Sequence, residues 1–230
     1  MRVAWLEPGM PFPDPRKADP SGLVAVGGEL TTPTLLEAYS RGIFPWYEKA
    51  PILWFSPDPR MVLLPERLHV SRSLQRTLRR GLFELKLDTA FEQVIRACAI
   101  APRRGQFGTW LNRDMIRAYC ALHAEGYAHS AEAWREGRLV GGMYGVSLGG
   151  VFYGESMFTR EPDASKTALV RLVDQIRAWG FALFDCQIHT PNAERFGATE
   201  WPRGDFLDAL SKALRAPTRR GRWSFDEAQP

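Results

Sequence analysis

The sequence predicts an α+β fold: an antiparallel meander, one long helix and a further strand, preceded by a small proline- and aromatic-rich domain. Three observations lead there. Residues 129–135, 138–147 and 150–158 read as strands, joined by the tight-turn signals Arg135-Glu136-Gly137-Arg138 and Leu148-Gly149-Gly150. Leu169, Leu172, Val173, Ile176 and Trp179 then keep helical spacing up to Gly180, and residues 182–187 form another apolar run. Finally, Pro8, Pro11, Pro13, Pro15 and Pro20 forbid regular structure early in the chain.

The elements follow in order. Thr32 caps a short helix with Pro33 at its first position, and Gly42 ends it. Residues 43–47 and 54–60 are aromatic and punctuated by proline, too irregular for strands and too apolar to float in water. They are expected to pack as one wall of a cleft, which makes residues 1–61 a small N-terminal domain and 62–230 the main one. Ser71 caps a helix that Gly81 stops; residues 83–87 are a strand and 89–99 a helix. After a basic loop at 101–108, Asn112 caps a helix carrying Met115, Tyr119 and Leu122, and Gly126 closes it. An amphipathic helix starts near Asp205, and the tail beyond Leu214 is expected to be disordered or peripheral.

Composition narrows the functional classes. No apolar run approaches the ~20 residues that span a bilayer, and no signal peptide is expected, because Trp5-Leu6 is followed at once by Glu7 and Pro8. Three widely spaced cysteines, Cys98, Cys120 and Cys186, suggest neither a disulfide framework nor a zinc pair; a reducing cytoplasm is the simplest location. His69, His123, His129 and His189 lack metal-ligand spacing, so no metal is expected. The net charge is only +4, but Arg72, Arg76, Arg79 and Arg80 share one helix face, opposite Leu74 and Leu78. That face suits phosphates; the other reading is a solvated surface.

Glu155, Asp185 and Gln187 stand inside segments that otherwise read as buried sheet. A charge in a core strand costs several kcal/mol unless it is paired or used. Asp185 and Gln187 are at i and i+2, so both are expected to face the same way. For Glu155 the alternatives are recognition of a positively charged or amine substrate and a structural ion pair with an arginine.

A meander, a helix and another strand is the core order of the N-acetyltransferase superfamily, which suggests acyl transfer to an amine. Coenzyme A-dependent members bind pyrophosphate on a glycine-rich turn before the helix. Residues 159–166 here contain no glycine and add Glu161 and Asp163, a poor cradle for phosphate. A donor other than coenzyme A is therefore expected.

Eight motifs in sequence order carry a more specific resemblance. They are Gly22-Leu23-Val24-Ala25-Val26-Gly27-Gly28-Glu29-Leu30, Arg41-Gly42-Ile43-Phe44-Pro45-Trp46, Trp54-Phe55-Ser56-Pro57-Asp58-Pro59-Arg60 and Gly108-Thr109-Trp110. Gly141-Gly142-Met143-Tyr144-Gly145, Gly154-Glu155-Ser156-Met157-Phe158, Ala164-Ser165-Lys166-Thr167-Ala168-Leu169 and Asp185-Cys186-Gln187 complete the set. The chain resembles the bacterial leucyl/phenylalanyl-tRNA–protein transferases from Gly22 to about Leu210. That resemblance implies moving Leu, Phe or Met from aminoacyl-tRNA onto proteins with an N-terminal Arg or Lys, which marks them for N-degron proteolysis. The donor is an ester and the product an amide, so neither ATP, metal nor another cofactor is needed; a monomer is expected.

The resemblance also implies roles. Asp185 holds and polarises Gln187, which contacts the attacking amine, and Glu155 recognises the acceptor. An amide oxygen is a poor base, so Gln187 is read as orienting the amine while the ester's ribose hydroxyl relays the proton. Met143, Phe152, Met157, Leu169, Leu172 and Phe184 form the pocket for the donor side chain. Phe152 and Met157 have opposite strand parity, so a bulge is required, expected at Gly154. Trp46 and Trp110 stack on the terminal adenine of the tRNA, with Tyr39 and Tyr119 nearby. Arg72, Arg76, Arg79 and Arg80 meet acceptor-stem phosphates. Thr190 and Asn192 depart from the family pattern, where Asn and His are frequent. The rival readings are a coenzyme A-dependent N-acetyltransferase, a tRNA-end binding module without catalysis, and transfer to acidic N-termini, which the acidic site disfavours.

Overall fold

A computed structural model describes residues 3–101 and 111–226. Arg103, Arg104 and Trp110, with the rest of the 102–110 stretch, lie outside the described residues.

In the N-terminal part, β1 (Ala4–Leu6) and β2 (Leu23–Gly27) pair in parallel. Then comes α1 (Thr32–Ser40), capped by Thr31 rather than Thr32: its hydroxyl accepts the Thr34 N–H, and Pro33 falls one position later than expected. β3 (Phe44–Pro45) and β4 (Leu53–Phe55) complete a four-stranded sheet ordered β1-β2-β4-β3. The expectation that residues 43–47 and 54–60 hold no strand is therefore corrected. Short strands tolerate proline at ends and edges, and Pro45 closes a strand of two residues.

β5 (Arg60–Leu63) leaves that sheet for a larger one, so the expected boundary at residue 61 falls inside a strand. α2 (Arg72–Arg79) is capped by Ser71 and packs through Leu74. Next come β6 (Glu84–Leu87), α3 (Phe91–Ile100) and α4 (Arg113–Ala124), whose cap Asn112 accepts the Asp114 and Met115 N–H groups. β7 (Ala128–Arg135), β8 (Arg138–Leu148) and β9 (Val151–Thr159) form the expected meander and extend it from β6. α5 (Ala164–Ala178) leads to β10 (Leu183–Gln187), which lies parallel to β9. The sequence reading missed α6 (Pro191–Arg195) and β11 (Thr199–Trp201), both short; α7 (Arg203–Ala213) follows them. The seven strands are ordered β11-β5-β10-β9-β8-β7-β6, giving a mixed α+β architecture. As expected, Gly42, Gly81, Gly126 and Gly180 end helices with positive φ.

Each face of the large sheet carries its own apolar core. On one, α5 packs with Met143, Phe152, Leu172 and Phe184. On the other, α1, α3, α4, α7 and the small sheet surround Tyr39, Tyr119, Tyr144 and Tyr153. A segment beyond Leu214 belongs to the first of these cores, contrary to expectation. Trp223 is 3% exposed and stacks on His129 with ring centroids 3.6 Å apart, while its backbone N–H donates to the Asp88 carboxylate at 2.7 Å. Arg219 lies over Trp179 and Arg220 over Tyr127, so these two basic side chains help dock the tail. Trp223→Ala is expected to lower unfolding free energy by about 3–5 kcal/mol, measurable by urea denaturation. A loss under about 1 kcal/mol would return the tail to a peripheral role.

Candidate active site

Glu155 owes its position to a bulge in β9. Tyr144 pairs with Ser156 and Gly145 with Gly154, which leaves Glu155 as the extra residue. A Cβ at Gly145 would lie 2.2 Å from the Tyr153 carbonyl oxygen, so this approach requires glycine. The bulge falls one residue after the expected Gly154 and does what the parity argument demanded. Phe152 and Met157 lie toward the α5 core, whereas Tyr153 and Glu155 face the tyrosines.

Two buried phenols hold the carboxylate. Tyr39 donates to Oε1 at 2.7 Å and Tyr119 to Oε2 at 3.1 Å, and the two hydroxyls are 2.5 Å apart. Burial and the Glu155 charge push both phenols well above their ordinary pKa, so they remain donors. The Gln187 side-chain N–H₂ gives a third bond, to Oε1 at 2.8 Å. Burial raises the Glu155 pKa to about 7, and the Asp185 charge pushes the same way, against these hydrogen bonds. No arginine pairs with Glu155 among the described residues.

Tyr39 and Tyr119 are each 0% exposed. No base can stack on either ring, which corrects their expected place at the adenine; burying the phenol and holding the carboxylate are one arrangement.

Asp185 departs from expectation as well. Its carboxylate grips Arg60, with Nε donating to Oδ1 at 2.8 Å and Nη2 to Oδ2 at 2.6 Å. Arg60 is 1% exposed, gives Nη1 to the Gly42 carbonyl at 3.0 Å and lies between the Phe44 and Phe206 rings. Asp185 also accepts the backbone N–H of Gln187 at 2.8 Å, not its side chain. The register shifts between these residues, and Gln187 takes a φ of +64°. That conformation costs about 1–3 kcal/mol outside glycine. No bond joins the two side chains among the described residues, although both lie on the Glu155 side of the sheet.

Two adjoining cavities open on Glu155. One, about 280 Å³, is lined by Phe44, Pro45, Trp46, Gln187 and Ile188; Trp46 is half-buried, edge-on to Phe55 at 5.5 Å. The other, about 310 Å³, is mostly apolar and takes Met143, Met157, Leu169 and Phe184 from the expected pocket, adding Leu63, Ala193 and Phe196. Phe152 and Leu172 do not line it: both are buried behind the wall, with Phe152 against Phe184 at 5.3 Å. Thr190 and Asn192 do line it, and Asn192 donates to the Met157 sulfur at 3.3 Å, so the departing loop closes this cavity. Sequence reasoning missed Arg60, Leu63 and Phe196. Only Arg60 carried a signal, a lone charge opening the apolar run Met61-Val62-Leu63-Leu64.

Arg72, Arg76, Arg79 and Arg80 are exposed along α2, and none forms an ion pair among the described residues. No described helix is long and apolar enough to cross a membrane.

The chain matches the family described as leucyl/phenylalanyl-tRNA protein transferase over residues 62–211 and that family's N-terminal domain over residues 28–58. It is 57% identical to the leucyl/phenylalanyl-tRNA–protein transferase of Myxococcus xanthus (strain DK1622), covering 93% of this chain and 92% of that one. Identity is 56% to the namesake of Anaeromyxobacter sp. (strain Fw109-5), over 98% and 97% of the two chains. It is also 56% to that of Thiobacillus denitrificans (strain ATCC 25259 / T1), over 90% and 91%. The chain belongs to the leucyl/phenylalanyl-tRNA protein transferase family.

Proposed function

We propose that this chain is an aminoacyltransferase that moves leucine or phenylalanine, and also methionine, from tRNA to the α-amine of proteins bearing N-terminal Arg or Lys. The observation that carries this reading is the Glu155 carboxylate, held by Tyr39, Tyr119 and Gln187 where an apolar cavity meets a second slot. The apolar cavity suits a hydrophobic donor side chain that is unbranched at Cβ, and its methionines accept several shapes. Trp46 in the slot offers a face for the terminal adenine.

The chemistry follows from matched acidities. The acceptor arrives as an ammonium with a pKa of ~8. Glu155, raised to about 7, pairs with that charge and takes one of its protons. Gln187 gives its N–H₂ to Glu155, so its carbonyl oxygen is turned to the amine and orients it. The amine nitrogen then attacks the ester carbonyl. As the C–N bond forms and the C–O bond to the ribose breaks, a second proton leaves the amine nitrogen and reaches the ribose oxygen through its neighbouring hydroxyl, and Glu155 returns its proton to solvent.

The meander of β7–β9, α5 and the parallel pairing of β9 with β10 support an N-acetyltransferase-like core. We assign residues 1–61 as the N-terminal domain and 62–230 as the catalytic one, in a cytoplasmic monomer. Asp163 and Glu161 at the start of α5 are engaged by Lys166 and Arg135, which disfavours a coenzyme A pyrophosphate there.

Radiolabelled Leu-tRNA with two peptides differing only in N-terminal Arg or Asp tests the reading. Label on the Arg peptide alone, without ATP or metal, is expected; tRNA binding with no transfer to either would overturn it. Replacing Arg72, Arg76, Arg79 and Arg80 by Ala is expected to weaken tRNA binding uniformly across sequences. The slope of log affinity against log salt should fall by about 1 for each phosphate that is no longer neutralised, with kcat at saturating tRNA kept.

A further inference from the structure

Gln187 orients nothing unless its backbone is held in the left-handed region, which a glutamine does not choose by itself. The hold comes from Asp185 Oδ1, which accepts the Gln187 N–H at 2.8 Å. That same oxygen accepts Arg60 Nε at 2.8 Å, and Oδ2 accepts Nη2 at 2.6 Å, so the fork fixes the carboxylate plane. Arg60 is in turn fixed by the Gly42 carbonyl and by the rings of Phe44 and Phe206. Phe44 also lines the catalytic slot. One buried side chain therefore ties the end of α1, the wall of the slot and β10 to a single carboxylate.

We propose that Arg60 is a positioning residue for transfer, setting the Gln187 side chain against Glu155 and the incoming amine by locking Asp185. This rests on the function proposed above and extends it. Asp185 is then a brace engaged on both oxygens, whose service to the reaction is the geometry of the next turn of chain.

The guanidinium fork is what the proposal requires, so Arg60→Lys and Arg60→Ala should differ in kind. In Arg60→Lys the charge stays but two parallel bonds become one. With Leu-tRNA and the Arg peptide, kcat is expected to fall by about 10- to 100-fold, with KM for Leu-tRNA within about threefold of the parent's. For Arg60→Ala, millimolar guanidinium chloride should restore part of kcat, while urea, of the same shape but uncharged, should not. Two results would overturn the proposal: a folded Arg60→Lys within twofold of the parent's kcat, or rescue of Arg60→Ala by urea as good as by guanidinium. A second readout needs no turnover. The Gln187 backbone amide resonance should move in Arg60→Lys toward its position in Asp185→Asn; an unmoved resonance sinks the brace even if the parent transfers nothing. A parent without transfer, beside a resonance that does move, removes the proposed function and keeps the brace.

Discussion

The Glu155→Gln variant is expected to be almost inactive yet more stable than the parent above pH 7. The activity loss follows from its role: a carboxylate that accepts a proton becomes an amide that cannot, and general-base groups contribute typically 10²–10⁴-fold. The stability gain follows from linkage. The Glu155 carboxyl is raised from 4.5 to about 7 in the folded protein, with burial as the largest cause. A raised carboxyl contributes its full stability below the unfolded pKa, loses it as pH climbs from about 4.5 to 7, and beyond that leaves a constant penalty. The penalty is on the order of 3 kcal/mol at pH 8. Glutamine titrates nowhere in this range, and its bonds can still be satisfied. Its oxygen replaces Oε1 for Tyr39 and Gln187, while its N–H₂ donates to Tyr119, which passes its own proton to Tyr39.

Two measurements check this. Urea denaturation at pH 5 and pH 8 should show the parent losing stability between them relative to the variant, by on the order of 3 kcal/mol. The pH profile of kcat/KM should lose its limb near 7, leaving the amine's own ionisation near ~8. A variant less stable than the parent at pH 8 would mean that the charge is better compensated than its surroundings indicate.

This tension explains why the site could be read from the sequence at all. Glu155, Asp185 and Gln187 break the apolar pattern of their strands, and an unfavourable residue in a core has to be justified by a partner or by use. The scaffold was legible for a related reason. Caps such as Ser71 and Asn112, and glycines such as Gly42 and Gly180, act through the backbone of their own neighbourhood.

What sequence could not supply was proximity at a distance along the chain. Tyr39 and Tyr119 are 80 positions apart, and nothing local says that their hydroxyls meet on one carboxylate. Arg60 reaches Asp185 across 125 positions, so its lone charge was visible and its partner was not. The strand pattern did not announce the bulge and the positive φ at Gln187, which bring its backbone N–H rather than its side chain to Asp185. The tail beyond Leu214 showed no periodicity, so the packing of Trp223 and Phe225 on the core was not visible in it.

The Arg60–Asp185 pair gives the other large effect, and its sign depends on how the pair is broken. Asp185→Ala leaves a guanidinium that is 1% exposed with, among the described residues, the Gly42 carbonyl and two aromatic faces as partners. Stranding one member of a buried pair costs about 3–5 kcal/mol, a large share of the ~5–15 kcal/mol that holds a folded protein. Arg60→Met strands Asp185, which is 0% exposed and keeps the Gln187 N–H alone, and should cost a similar amount. Removing both charges removes both desolvation penalties. Arg60→Met with Asp185→Leu should therefore be more stable than either single variant, short of the parent by roughly 1–3 kcal/mol for each group it orphans, the Gln187 N–H and the Gly42 carbonyl. Urea denaturation of the four proteins measures the coupling directly, and additive losses would show that the pair is not coupled. Transfer activity should not follow stability back. The double variant regains a packed core but has no acceptor for the Gln187 N–H, so the backbone that aims the amide at Glu155 is released. A buried pair whose exchange for apolar side chains restores part of the stability lost in either single variant, but none of the turnover, owes its place to the reaction.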